Sequence, residues 1–118
     1  MNNIAPEAPP RKVIIGVDTH KHIHVAVAID QNGARLGDLS VSADSGGYAQ
    51  LEGWAQALGR VDRFGIEGTG SYGAGLSSYL RRCGHRIIEV NRGDRRTRRQ
   101  NGKSDTLDAE AAARSVLA

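Results

Sequence analysis

Four carboxylates stand out by where they fall: Asp18 at the end of one apolar run, Glu67 at the end of another, and Asp105 and Asp108, three residues apart, opening an alanine-rich stretch. Acids at the ends of elements contribute nothing to a core but can cage divalent cations. Hard ions such as Mg²⁺ and Mn²⁺ prefer carboxylate, water and phosphate oxygens, so this set suits them far better than zinc, and no histidine is required. Upstream of the last two acids, Arg92, Arg95, Arg96, Arg98, Arg99 and Lys103 are offset only by Asp94. Metal-holding acids beside a phosphate-binding segment imply phosphodiester chemistry on nucleic acid. In the two-ion form of that chemistry the ions sit about 3.5 to 4 Å apart, one activating the nucleophile and one stabilising the leaving oxygen. Asp18 would then be shared by both ions, Glu67 and Asp108 would each favour one, and Asp105 would assist.

These residues need elements to position them. Residues 1–12, with Pro6, Pro9 and Pro10, read as a disordered lead-in, and residues 13–118 as one domain. Val13 to Val17 is a continuous apolar run, as in a strand buried on both faces, stopping at Asp18. From Ile23 to Asp30 the pattern alternates, and Asn32-Gly33 then supplies a tight hairpin turn. A weaker strand follows from Arg35 to Ser42. Asp44 or Ser45 can cap a helix presenting Tyr48, Leu51, Ala55 and Leu58 on one face. Arg63 to Glu67 reads as a short strand, and Leu76, Tyr79, Leu80 and Cys83 form the stripe of a second helix ended by Gly84. Arg86 to Val90 is a fifth strand, and Ser104 can cap a third helix with Asp105 in its first turn. The order β-β-β-α-β-α-β-α predicts an α/β fold with a mixed sheet, the element order of the ribonuclease H-like fold. In such a sheet the first and fourth strands are neighbours, so Asp18 and Glu67 should open at adjacent strand ends.

Composition narrows the class. A chain of 118 residues falls between sizes that bury about 60% and about 70% of their unfolded surface, enough for one core without staples. Cys83 is the single cysteine, which excludes an intramolecular disulfide. With no secretory leader and no apolar stretch of membrane-spanning length, a cytoplasmic protein with no membrane partner is expected. The net charge is +3 with a pI near 9.4, but nine basic residues lie between Arg81 and Lys103 against Glu89 and Asp94. That clustering is the footprint of phosphate contacts. No aromatic residue interrupts the basic segment, so its contacts should be to phosphate rather than to stacked bases.

Two other patterns compete. Gly68, Gly70 and Gly73 form a G-x-G-x-x-G between a strand and a helix, with Glu89 about 20 residues on, the spacing of a Rossmann NAD-binding module. Against it, Glu67 would set a carboxylate beside the pyrophosphate, and the unit follows three strands instead of leading the sheet. His20, His22 and His24 alternate, which could present three imidazoles to one zinc or nickel ion, although such a ladder spans too far for all three to reach one tetrahedral centre. His24 is expected near the acids, orienting a ligand or serving structurally. A non-catalytic nucleic-acid-binding remnant is a third reading.

Three stretches carry a family resemblance: Gly-Val-Asp-Thr-His-Lys at 16–21, Gly-Ile-Glu-Gly-Thr-Gly at 65–70 and Lys-Ser-Asp-Thr-Leu-Asp-Ala at 103–109. In order and at this spacing they resemble the amino-terminal RuvC-like domain of the DEDD transposases, the insertion-sequence-110 group that includes Piv-type DNA invertases. The resemblance runs from about Val13 to the end of the chain. It implies that Asp18, Glu67, Asp105 and Asp108 are catalytic metal ligands, with two Mg²⁺ or Mn²⁺ ions as cofactors and DNA as substrate. It further implies a structured guide RNA, homo-oligomers of the full-length protein, and a carboxy-terminal domain bearing a nucleophilic serine. Nothing here corresponds to that serine domain, so this chain is expected to be a domain cut from something longer and inactive alone.

Overall fold

The computed structural model describes residues 11–91 and 105–117, and the elements that build the site lie within them. The basic segment from Arg92 to Lys103, the cap expected at Ser104 and most of the lead-in lie outside the described residues.

Five strands form one sheet: β1 (Lys12–Thr19), β2 (Ile23–Asp30), β3 (Arg35–Ser42), β4 (Arg60–Glu67) and β5 (Ile87–Val90), in the order β3-β2-β1-β4-β5. The first three make an antiparallel meander, while β1, β4 and β5 run parallel. Helices α1 (Ser45–Leu58) and α2 (Ala74–Arg82) provide the crossovers into β4 and β5, and α3 (Asp105–Ser115) packs on the opposite face. This is the mixed α/β sheet of a ribonuclease H-like fold, with helices on both faces.

Both strands at the centre are longer than their apolar runs. β1 begins at Lys12, because the carbonyl of Arg11 accepts from the amide of Arg60 and zips the two strands together from there, and it continues past Asp18 to Thr19. β4 starts at Arg60 despite three charged residues in its first half, since that half lies near the sheet's edge. There Arg63 is bonded to Asp62 at 2.5 Å and to the carbonyl of Val116 at 3.0 Å.

Alternation divides the core in two. Val13, Ile15 and Val17 of β1, Ala26 and Ala28 of β2, and Phe64 and Ile66 of β4 pack under α1 and α2, with Leu51, Ala55, Leu76 and Leu80. Ile14 of β1 and Val25, Val27 and Ile29 of β2 face α3, meeting Ala109, Ala112, Ala113 and Val116. α1 starts where the sequence predicts, with Asp44 extended and accepting from the amide of Gly47 at 2.9 Å. α2 ends at Cys83, which is exposed rather than part of the apolar stripe.

The seat of α3 is unusual. A Cβ on Gly16 would stand 2.1 Å from the carbonyl oxygen of Ala109, and one on Gly65 would stand 2.9 Å from that of Ala112. Gly16 and Gly65 are direct partners across β1 and β4. The helix therefore lies with its backbone against the backbone of the two central strands, and only glycine on one side with alanine on the other permits it.

Candidate metal centre

Each of those glycines sits two residues before an acid, in Gly16-Val17-Asp18 and Gly65-Ile66-Glu67. Because side chains two apart in a strand share a face, Asp18 and Glu67 project on the side where α3 lies. Val17 pairs with Ile66, so the two acids follow side by side at the carboxyl ends of adjacent parallel strands. Both are buried, Asp18 to 2% exposure and Glu67 to 3%. The flush seating of α3 carries its first turn, with Asp105 exposed and Asp108 half-buried, to the same edge.

Electrostatics join the set. The carboxyl of Asp18 is pushed up to about 6, chiefly because burial disfavours its charge; His20 opposes this, and the nearby charges of Glu67 and Asp108 add to it. A divalent cation among these oxygens would reverse the sign of that balance, and four carboxylates are the donor chemistry such a cation takes. The sequence-predicted acids thus fall at one edge of the sheet. Of the basic residues predicted to bind nucleic acid, Arg92, Arg95, Arg96, Arg98, Arg99 and Lys103 all lie outside the described residues.

A fifth residue, outside the four acids, stands at this edge. His20 Nε2 lies 2.9 Å from Asp18 Oδ2 and 3.3 Å from Asp105 Oδ1, tying the end of β1 to the start of α3. Asp18, His20 and Asp105 each offer one donor atom, all within 4.8 Å of one another, so a nitrogen donor accompanies the carboxylates. The signal was the Asp-x-His spacing in Asp18-Thr19-His20.

The histidine ladder does not form. The amide of His20 donates to the carbonyl of Ile23, closing a tight turn in which His22 is exposed, and the register that follows pairs Thr19 with His24. His24 consequently faces α1, away from the acids. It is wholly buried and stacked on Tyr48 with ring planes 8° apart and centroids 6.0 Å apart, and burial holds its pKa below the usual value, so the ring is neutral.

The glycine-rich turn after Glu67 also serves the acids. Gly68 takes φ +70°, and its carbonyl accepts from the amides of Ser71 and Gly73, so these are committed to the turn instead of facing a pyrophosphate. Thr19 Oγ1 donates to the carbonyl of Glu67 at 2.9 Å, fixing that strand end. Glu89, the acid at Rossmann spacing, accepts from Thr69 Oγ1. Beside the turn is a cavity of about 190 Å³ lined by Thr19, Glu67, Gly68, Ser71, Tyr72, Glu89, Val90 and Asn91. That is below the roughly 300–1,000 Å³ typical of drug-sized ligand sites, too small for a dinucleotide.

No curated protein matches this chain. Among solved structures, a chain of the cryo-electron microscopy structure of a simian T-cell lymphotropic virus intasome in complex with PP2A regulatory subunit B56 gamma is similar, with a TM-score of 0.44 at 12% identity over 92% of this chain. The match covers 49% of that chain, so the present one spans about half its length. The insertion-sequence-110-type DEDD family model, described as Transposase, matches residues 15–118, from within β1 through α3. The chain belongs to this family of transposases.

Proposed function

We propose that this domain supplies the metal-dependent phosphodiester-cleaving centre of a transposase, acting on DNA during transposition or site-specific recombination. The observation that carries this reading is the meeting of Asp18, Glu67, Asp105 and Asp108 at one edge, with Asp18 buried and its carboxyl raised to about 6 by burial and by the charges of two of the others. Asp18 is central and shared, Glu67 and Asp108 flank it, and Asp105 assists together with His20. Two Mg²⁺ or Mn²⁺ ions held there would activate the attacking oxygen and stabilise the departing one. The protein's own part is to hold Asp18 and Glu67 on paired strand ends and Asp105 and Asp108 at the start of α3, with the basic stretch from Arg92 to Lys103 meeting the phosphates. In the whole protein, a serine-bearing domain, a guide RNA and further protomers would complete the reaction, in the cytoplasm. The family model and the committed amides of Ser71 and Gly73 both favour this reading over a dinucleotide-binding module.

Thermal unfolding tests it. With Mn²⁺ or Mg²⁺ at about 100 times its Kd, the wild type should gain roughly 2.7 kcal/mol, a rise of about 10 °C for a domain of this size, and Asp18→Asn should not. A rise with NAD alone would favour the nucleotide module. An equal metal response in the variant would remove Asp18 from the centre.

A further inference from the structure

We propose that the cavity beside Glu67 receives a single unstacked nucleobase, with Tyr72 as its stacking platform. Its walls come from the turn after β4, the end of β1 at Thr19 and the end of β5 at Val90 and Asn91, so it opens on the edge that carries the acids. Among the described residues its two charged walls, Glu67 and Glu89, are both carboxylates, and none of the described lysines or arginines lines it. A phosphate entering alone would be repelled, whereas a neutral base would not. The remaining lining offers a base what it needs. Tyr72 is 55% exposed at the mouth, an aromatic ring held in a turn instead of buried in the core. Such rings stack on unpaired bases whatever their identity. Asn91 brings a carboxamide, the side chain whose paired donor and acceptor match the N6 and N7 edge of adenine.

About 190 Å³ fits one base and not two, which makes the occupant a nucleotide splayed out of its stack. Glu67 belongs to both the cavity and the acid set, so the base would belong to the nucleotide whose phosphate lies at the acids. This assignment rests on the metal-centre reading. It also places base contact outside the basic segment, which lacks aromatic residues.

The test is a nuclear magnetic resonance titration of the chain with dAMP and Mg²⁺, beside deoxyribose 5-phosphate and Mg²⁺ as the baseless control. We expect dAMP to shift the amides of Ser71 and Asn91 and the ring of Tyr72, and the control to leave the Tyr72 ring unmoved. Tyr72→Ala should weaken dAMP by roughly tenfold while Tyr72→Phe retains it, since stacking needs the ring and not the hydroxyl. Equal shifts with both ligands, undiminished affinity in Tyr72→Ala, or no response to dAMP would each overturn the proposal. Mg²⁺-dependent shifts at Asp18 and Glu67 are read separately. If they appear while the base goes unbound, only the base site fails; if they are missing, the metal centre fails.

Discussion

Asp18 makes the metal-free fold costly at neutral pH. An acid raised from 3.8 to about 6 on folding holds a proton that the unfolded chain has already released, so its effect is unfavourable above pH 6 and disappears as pH falls below 4. Asp18→Asn keeps the shape and removes the charge. Without divalent ions it should be more stable than the wild type near pH 7.5, by on the order of 3 kcal/mol at about 1.4 kcal/mol per tenfold change in proton affinity. The gain should shrink toward zero near pH 4, and chemical denaturation at the two pH values checks it. A constant difference would mean that Asp18 is not the titrating group. The positions of the acids were legible in sequence because each stands at or near one end of a recognisable element. His20 was not, since it acts from a turn, and the turn length also decides that His24 pairs with Thr19 and faces α1.

Among the elements, α3 depends most on a close approach. A methyl group at position 16 would meet the carbonyl of Ala109 at 2.1 Å and the amide nitrogen of Ala113 at 2.2 Å, both backbone atoms that cannot swing aside. Gly16→Ala should therefore cost about 1–3 kcal/mol or more and lift Asp105 and Asp108 from the strand ends, abolishing metal-induced stabilisation. Gly53→Ala is the control: exposed on α1 with nothing within 4 Å of the added atom, it should stabilise by roughly 0.5–1 kcal/mol. If both behave alike in calorimetry, the seat is softer than its distances imply. Periodicity revealed all five strands and the helices, because the runs at Val13 and Ile23 and the stripe at Leu51 are long enough to read. It missed the first three residues of β4, where Arg60 and Asp62 mask a strand held by pairing with β1. Nor could it show that Gly16 and Gly65 are partners, which is a property of register.

For the molecule as a whole, charge is the feature that points to a partner. If the basic segment from Arg92 to Lys103 neutralises roughly four phosphates, the logarithm of DNA affinity should fall with that of salt at a slope of about −3 to −4. Fluorescence anisotropy across a salt series measures this, and a flat response would mean that those arginines do not meet phosphate. Ile23, Tyr72 and Leu107, the large apolar side chains most exposed among the described residues, fall respectively after the turn holding His20, in the turn after Glu67, and between Asp105 and Asp108. Between most packed elements, side chains serve as cushions whose rotamers absorb small changes of spacing. At Gly16 and Gly65 that cushion is missing under α3, since peptide meets peptide there, so the spacing between strand ends and helix start is set as by a fixed calliper. On the metal-centre proposal, an ion of the right radius would find its jaws already set, and a larger one would enter only by moving the whole helix.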